Sequence, residues 1–243
     1  RSLNIAEGEA VRAAAEAAGA RDTIVFNSCA VTDEAVRQAR QAVRRALRER
    51  PGSEVVVTGC AAELEADTFA AMGARVVRND AKGLAESYSG AAVRADTLSY
   101  RPALSGADHA RAFLGVQTGC SHSCTFCATV IARGTARSAT VEAVVDAART
   151  ALDRGQREII LTGVDLASYG DDSGTTLAAL VEALLALPVE RLRLSSLDPD
   201  RIDDALFALL TQEKRVMPHV HLSLQAGDDM ILTRMKRRHR RAD

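Results

Sequence analysis

Three of the chain's five cysteines, Cys120, Cys124 and Cys127, form a C-x3-C-x2-C motif. Soft thiolate ligands select zinc, copper(I) or an iron–sulfur cluster. A structural zinc site usually has four protein ligands, most often in paired C-x2-C form, and this sequence offers no second pair. Three thiolates instead suit a cubane 4Fe–4S cluster, which leaves one iron open to a substrate or cofactor. Two alternatives are a zinc ion with His122 as its fourth ligand, and thiols that bind no metal.

Cys29 and Cys60 each come soon after an apolar run that predicts a strand, at residues 23–26 and 54–58. A helix between these strands, capped by Thr32, and a short strand at residues 75–77 complete an alternating α/β pattern. Strands separated by helices predict a parallel sheet, and open α/β sheets bind ligands at the C-terminal ends of their strands. Both thiols are therefore expected in one crevice. The alternative is that they are two ordinary buried cysteines.

Residues 112–243 repeat a β–α unit that is typical of a barrel of parallel strands with outer helices. The predicted strands are residues 113–117, 158–162, 191–195 and 219–225, and the predicted helices are 140–154, 176–187 and 203–211. Because barrels gather their chemistry at the C-terminal strand ends, Cys120, Gly163, Ser195, Ser196 and Gln225 are candidate site residues. The fourth strand alternates polar with apolar residues, which predicts a polar inner face beside a cofactor pocket. A solvated edge strand is the alternative.

The expected fold class is thus α/β, with an N-terminal open parallel α/β domain at residues 1–90, a linker at 91–111 and a partial (β/α) barrel at 112–243. With no secretory signal and no apolar run long enough to cross a bilayer, we expect a soluble, cytoplasmic protein. We also expect it to be a monomer. Its cysteines should then serve as ligands rather than in disulfides. The chain begins without Met, and we interpret it as a fragment. Basic residues crowd positions 234–241 and form either a solvated tail or a phosphate-contacting surface.

Eight short motifs occur in order along nearly the whole chain. They are Asn-Ser-Cys-Ala-Val-Thr at 27–32, Thr-Gly-Cys at 58–60, the three-cysteine loop, Ala-Arg-Gly at 132–134, Leu-Thr-Gly-Val at 161–164, Ser-Tyr-Gly at 168–170, Leu-Ser-Ser-Leu-Asp-Pro at 194–199 and Leu-Ser-Leu-Gln at 222–225. Together they resemble the radical-SAM methylthiotransferases. The first motif is most similar to the branch that acts on threonylcarbamoyladenosine in tRNA. The chain departs from the family pattern at 128–130, where an apolar pair and Pro are usual, and at Ala226, where Ser is usual.

The resemblance implies two clusters and S-adenosylmethionine (SAM). Cys120, Cys124 and Cys127 would hold the radical-SAM 4Fe–4S cluster, whose open iron chelates SAM. Further cofactor contacts would come from Gly163, Ser195, Ser196, Gln225 and Arg133. An auxiliary 4Fe–4S cluster would use three more cysteines, of which Cys29 and Cys60 match the second and third. The turn near Leu3 and Asn4 that should supply the first contains no cysteine, so the ligand set is incomplete in this chain.

The implied reaction is methylthiolation at C2 of N6-threonylcarbamoyladenosine, next to the anticodon, by a transferase that also needs an electron donor protein. A radical suits this reaction because the aromatic C2–H is neither acidic nor easily displaced, and the protein positions the cofactor and excludes water. The partner would be a tRNA anticodon loop, since proteins read RNA through splayed single-stranded bases. The alternatives are a methylthiotransferase for isopentenyladenosine or a ribosomal-protein aspartate and, more distantly, a non-catalytic iron–sulfur or zinc module.

Overall fold

The computed structural model describes residues 2–89, 93, 100–106 and 108–243. Within the range 91–111, predicted as a linker, residues 91–92, 94–99 and 107 lie outside the described residues. The chain divides into two compact units. One, called the barrel unit, consists of Arg1–Ala6, Ser99–Cys127 and Thr135–Asp243. The other, called the N-terminal unit, consists of Glu7–Leu98 together with Ala128–Gly134.

The described residues form nine α-helices and eleven β-strands. The helices are α1 (Ser2–Ala17), α2 (Asp33–Glu49), α3 (Cys60–Leu64), α4 (Ala66–Ala71), α5 (Thr129–Arg133), α6 (Val141–Asp153), α7 (Leu177–Leu185), α8 (Asp204–Gln212) and α9 (Asp229–Arg234). The strands are β1 (Thr23–Ser28), β2 (Glu54–Gly59), β3 (Arg75–Val76), β4 (Ala103–Leu104), β5 (Arg111–Gly115), β6 (Gln117–Thr118), β7 (Arg137–Ser138), β8 (Glu158–Thr162), β9 (Arg191–Leu194), β10 (Ser196–Leu197) and β11 (His221–Leu222).

The N-terminal unit contains a parallel sheet of three strands in the order β1-β2-β3. Strand β2 is buried from Val55 onward, and its side chains pack into two apolar clusters, one on each face of the sheet. Helix α2 begins where the sequence predicts, because the Thr32 side chain accepts a hydrogen bond from the Ala35 amide. Its buried Val43 packs with Phe69 of α4 on one face of the sheet. The predicted parallel α/β arrangement of this region is confirmed.

The barrel unit contains a sheet in the order β4-β5-β8-β9, in which β5, β8 and β9 are parallel and β4 is antiparallel. Strand β4 lies inside the range predicted as a linker. All five residues of β8 are buried, as expected for a central strand covered on both faces. The main core lies between this sheet and α6, α7 and α8, and includes Leu114, Leu161 and Leu180. The α/β class with parallel strands and outer helices is therefore confirmed.

The last predicted strand is much shorter than expected. The sequence predicts a strand over residues 219–225, but only His221–Leu222 pair, in parallel with β10. The polar and apolar residues of this segment are alike in exposure, since His219, Leu222 and Leu224 are all exposed. The alternation of polar and apolar residues in this segment therefore does not correspond to one buried face and one solvated face. Among the described residues, no helix is long and apolar enough to cross a membrane.

Candidate metal centres

The three-cysteine loop follows β6, past the C-terminal end of sheet strand β5. Within the loop, the Cys127 amide donates to the Cys124 carbonyl at 3.2 Å. The Thr125 amide donates to the carbonyl of Met235, directly after α9, at 3.3 Å. These bonds turn the loop back on itself and anchor its tip. Cys120 and Cys124 are partly buried and Cys127 is exposed, so one edge of the thiol set faces solvent.

Gln117, which is fully buried, fixes the entry to the loop. Its Nε2 donates to the carbonyls of Thr118 and Gly119 at 3.1 and 3.0 Å. Its Oε1 accepts from the amides of Val164 and Asp165 at 3.0 and 2.9 Å. One side chain thus uses four hydrogen bonds to hold the segment before Cys120 against the loop that follows β8. The sequence pattern predicted Gln117 only as a strand residue, and its amide side chain in a buried strand was the available signal.

A chain of buried polar groups lies beneath the loop. Arg237 Nη1 donates to Cys124 Sγ at 3.4 Å, and its Nη2 pairs with Asp198. Asp198 Oδ2 lies 3.9 Å from His122 Nδ1, and His122 Nε2 lies 3.0 Å from Asp165 Oδ2. The last contact does not have the alignment of a good hydrogen bond. Sequence reasoning missed Asp165, Asp198 and Arg237 as a group, although both aspartates follow strand ends.

The environment of Cys120 favours a protonated thiol while no cation is bound. Burial raises its pKa to about 11; the His122 amide, 3.4 Å from Sγ, lowers it, and nearby Asp165 raises it again. The thiol donates to Asp165 Oδ2 at 3.7 Å. Burial also acts to raise the pKa of Asp165, but its interactions with the nearby His122 and Ser168 side chains outweigh burial and lower the pKa. A bound metal centre reverses this balance, since its positive charge stabilises the thiolate.

The donor set of the loop fits an iron–sulfur cluster. Cys120, His122 and Asp165 have ligand atoms within 4.8 Å of one another, a spacing that suits a single ion. Within the described residues, the three loop thiols are not grouped so tightly. A cubane separates its thiolate ligands more widely than one ion does, and three soft sulfur donors match its preference. The imidazole of His122 lies between two carboxylates, so its nitrogens face oxygen partners rather than the other two thiols.

Four of the five residues predicted to contact SAM lie in or shortly after strands of the barrel unit: Gly163, Ser195, Ser196 and Gln225. Ser195 directly follows β9, and its Oγ is buried with no hydrogen-bond partner among the described residues, which fits a position facing a ligand. Ser196 Oγ lies 2.6 Å from His221 Nδ1. Gln225 has a φ of +62°, an uncommon value for a residue other than glycine. Gly163 packs against Gln117, whose Cβ would lie 3.1 Å from an added Cβ.

In the N-terminal unit, Cys29 and Cys60 occupy matching positions on neighbouring strands. Ser28 pairs with Gly59 as the last register pair of β1 and β2, and each cysteine is the next residue. Neighbouring parallel strands lie about 4.8 Å apart, so both cysteines reach the same sheet edge. Gly59 has a φ of +94°, and an added Cβ would lie 2.2 Å from the Ser28 carbonyl oxygen. Only glycine therefore allows β2 to turn into α3 beside β1 and to start that helix at Cys60.

Arg133 belongs to the N-terminal unit, whereas the three loop cysteines belong to the barrel unit. Its guanidinium binds both carboxylate oxygens of Glu7, at 2.6 and 3.0 Å, and its Nε donates to Cys60 Sγ at 3.1 Å. The predicted contact of Arg133 with SAM stays a prediction, and the bonds seen here link Arg133 to the sheet edge at Cys60.

Comparisons with known proteins agree with this geometry. Residues 114–243 match the family model described as the radical SAM superfamily, and residues 3–77 match an uncharacterized protein family, UPF0004. A solved structure with a similar fold is the radical S-adenosylmethionine methyltransferase TsrM from Kitasatospora setae, described with cobalamin and a [4Fe-4S] cluster bound. The TM-score is 0.55 at 15% identity, over 82% of this chain and 50% of that one.

Several curated relatives match nearly the whole chain. Two are threonylcarbamoyladenosine tRNA methylthiotransferases MtaB, from Rickettsia prowazekii at 39% identity over 99% of this chain and from Bacillus subtilis at 32% over 90%. A third, from Chlorobium luteolum, is a tRNA-2-methylthio-N(6)-dimethylallyladenosine synthase, 31% identical over 90% of this chain. The chain spans 60%, 52% and 53% of these relatives' lengths, respectively. The family model that covers more than half of this chain and the cysteine loop after β6 lead to one conclusion: the chain belongs to the radical SAM superfamily.

Proposed function

We propose that the chain carries the cofactor-binding part of a tRNA methylthiotransferase, which adds a methylthio group at C2 of N6-threonylcarbamoyladenosine beside the anticodon. The observation that carries the proposal is the presence of two separate thiol sets, each at the C-terminal edge of a parallel sheet. One set is the loop of Cys120, Cys124 and Cys127 in the barrel unit. The other is the pair Cys29 and Cys60 in the N-terminal unit.

The loop thiols would hold a 4Fe–4S cluster with SAM on its open iron. When bound, these groups supply the radical chemistry needed at an unactivated aromatic C–H bond. The protein's task is positioning: Gln117 and the Thr125 contacts fix the loop, and Arg237 donates to the Cys124 sulfur. Ser195, with its unpartnered buried hydroxyl, is the best-placed cofactor contact among the proposed residues, which also include Ser196, Gly163 and Gln225.

Cys29 and Cys60 would supply two ligands of the auxiliary cluster, which is where a transferred sulfur would be held. The substrate assignment rests on the names of the most similar relatives and on the Asn-Ser-Cys-Ala-Val-Thr motif at 27–32. A dimethylallyladenosine enzyme is also among the relatives, so the choice between the two modified adenosines is the point to test.

The test is nucleoside analysis of tRNA from cells in which the native gene carries Cys127→Ala. Without this thiolate the cluster loses one of three ligands, so 2-methylthio-N6-threonylcarbamoyladenosine should disappear and its unthiolated precursor should accumulate. The matched control is Ser123→Ala in the same loop, whose exposed side chain is not a ligand. It should leave the modification in place.

Two results contradict the proposal in different ways. Unchanged methylthiolation in the Cys127→Ala strain would exclude the loop thiols from the chemistry. If 2-methylthio-isopentenyladenosine is lost and the threonylcarbamoyl derivative stays intact, the protein is still a tRNA methylthiotransferase. Its substrate is then isopentenyladenosine.

A further inference from the structure

A group of positive charges without ion-pair partners lies on the barrel unit, at and directly after the end of α9. Residues 234–241 contain six cations, of which one, Arg237, is buried and pairs with Asp198. The other five are exposed, and none of them forms an ion pair within the described part of the chain. This set, called the basic turn, consists of Arg234, Lys236, Arg238, Arg240 and Arg241. It is a local excess of positive charge in a chain whose formal net charge is −1.

The carboxylates that neighbour the basic turn in sequence are engaged with backbone amides. Asp228 caps the start of α9. Asp229 Oδ1 accepts from the Arg241 amide at 2.8 Å, and Asp243 Oδ2 accepts from the Arg240 amide at 2.7 Å. These bonds fold the segment without neutralising its side chains. Like charges at this density repel one another, so an anion that covered the turn would relieve the repulsion.

Lys236 occupies a backbone position that favours glycine. Its φ is +56°, and it follows Met235, the C-cap residue of α9. The Lys236 amide donates to the Thr233 carbonyl at 3.0 Å, and the Arg237 amide donates to the Leu232 carbonyl at 2.9 Å, which is the bonding of a Schellman motif. Glycine is the usual residue there because it has no Cβ. The chain thus keeps a cationic side chain where the backbone alone disfavours one, and residues held in such conformations cluster at functional sites.

The basic turn is hydrogen-bonded to the three-cysteine loop. Thr125, which lies between Cys124 and Cys127, donates its amide to the Met235 carbonyl at 3.3 Å and its hydroxyl to the Arg234 carbonyl at 3.4 Å. A substrate that reaches the loop therefore also meets the positive charge of the turn. RNA suits this surface because it has a phosphate on every nucleotide and no cations of its own, whereas an acidic protein presents charges of both signs. Arginine, the main residue of the turn, donates two parallel hydrogen bonds to a phosphate.

We propose that the basic turn is the docking surface for the phosphate backbone of the substrate RNA. Contacts of this kind fix the register and orientation of a nucleic acid and leave the recognition of its bases to other groups. The inference rests on the proposed function, which makes a tRNA anticodon arm the substrate. Because Thr125 bonds the turn to the three-cysteine loop, the bound phosphates are held at a fixed distance from that loop.

The test is fluorescence anisotropy of a labelled, unmodified anticodon stem-loop RNA, titrated with the full chain at several KCl concentrations. The variant combines Arg238→Gln with Arg241→Gln, two exposed side chains. Each lost phosphate contact should lower the slope of log affinity against log salt by about 1. Because the electrostatic contribution vanishes near about 1 M salt, each contact is equivalent to about tenfold in affinity at about 0.1 M. The matched control, Arg149→Gln with Arg157→Gln, removes two exposed, ion-paired arginines of the same unit and should bind as the parent does.

A second variant separates RNA binding from folding. Lys236→Gly removes one cation and at the same time relieves the left-handed backbone. Its unfolding midpoint in urea should therefore stay the same or rise, while its RNA affinity at about 0.1 M salt should fall about tenfold. If the turn only stabilised the fold, affinity would fall only where stability falls. A Lys236→Gly variant that keeps the parental affinity and salt slope would overturn the role of this residue.

The outcomes distinguish the docking surface from the proposed function. If the parent does not bind the stem-loop, both the surface and the RNA substrate are refuted. If the parent binds and the Arg238→Gln, Arg241→Gln variant keeps its affinity and salt slope, only the surface is refuted. Poly-L-glutamate serves as a competitor that represents an acidic protein. If it binds the parent as tightly as the RNA does, and the variant loses both equally, the assignment of RNA as the partner is overturned.

Discussion

Replacing Arg237 with Gln should destabilise the barrel unit and disorder the three-cysteine loop. Arg237 is buried; its guanidinium pairs with Asp198 and also donates to the Cys124 sulfur and the Ser223 carbonyl. Without it, the ionisable side chain left near the buried Asp198 carboxylate, among the residues that the structure describes, is His122, whose Nδ1 is 3.9 Å away. Breaking one side of a buried ion pair costs about 3–5 kcal/mol, because the remaining charge is uncompensated. We expect a loss near the lower end, about 3 kcal/mol, because Gln at position 237 keeps a polar side chain that can donate a hydrogen bond.

Urea unfolding, followed by circular dichroism, measures this loss, and iron content after anaerobic reconstitution reports on the loop. The neighbouring Arg238 offers a matched control, because its side chain is exposed and an Arg238→Gln change should cost less than about 0.5 kcal/mol. Combining Arg237→Gln with Asp198→Asn removes the orphaned charge, so the double variant should recover part of the stability but not the iron content.

The reasoning is refuted if Arg237→Gln unfolds at the same urea concentration as Arg238→Gln and binds as much iron. It is also refuted if the stability lost in the double variant equals or exceeds the sum of the losses in the two single variants, because additive losses would mean that Arg237 and Asp198 do not stabilise each other.

Three further predictions concern other parts of the site. Gly59→Ala should cost more than the ~1–2 kcal/mol of the left-handed backbone alone, because the new Cβ meets the Ser28 carbonyl at 2.2 Å, whereas Gly52→Ala, with open space around it, should be tolerated in the same urea assay. Because the pKa of Glu7 is lowered from 4.5 to about 2, its ionised form stabilises the fold above about pH 4.5, and this contribution is lost as the pH falls toward 2; the acid dependence of unfolding should be shallower in Glu7→Gln. Gln117→Leu leaves the two amides after β8 without their acceptor and should cost about 2–4 kcal/mol, with reduced iron binding; an unchanged unfolding midpoint would contradict the role given to this side chain.

Local sequence signals predicted the parts of the fold that depend on neighbouring residues. Thr32 capped its helix as expected because an N-cap needs only the amide three residues later. The parallel sheet of the N-terminal unit followed from strands separated by a helix, and the matching positions of Cys29 and Cys60 followed from that sheet. The sequence did not predict the extent of the strand in residues 219–225. Alternation of polar and apolar residues predicts a strand there, but a strand also needs a neighbouring strand to pair with. Among the described residues of this segment, two pair with β10.

The polar support of the site depends on contacts that no sequence spacing reveals. Arg237 lies in a basic run whose other members are mostly exposed, and only the fold distinguishes it, by placing Asp198 and Cys124 within reach. Arg133 was predicted to contact SAM because the Ala-Arg-Gly motif resembles the family pattern, and that remains a prediction. The fold adds what the motif does not give, since it places the helix of Arg133 in the unit that contains Cys60. In both cases a charged residue is recognised by its buried partners, which come from distant positions in the chain.

The division of the chain between the units has a consequence for the order of synthesis. Residues Ala128–Gly134 complete the N-terminal unit, yet they are translated only after the three-cysteine loop. A nascent chain that has reached residue 90 therefore lacks the guanidinium that pairs with Glu7 and the helix that covers α3. Domains usually fold as units while the ribosome is still adding residues. Here the first unit must wait for residue 134, so the cysteines of both units are already made when it closes, and a cut at residue 90 should yield a poorly folded piece.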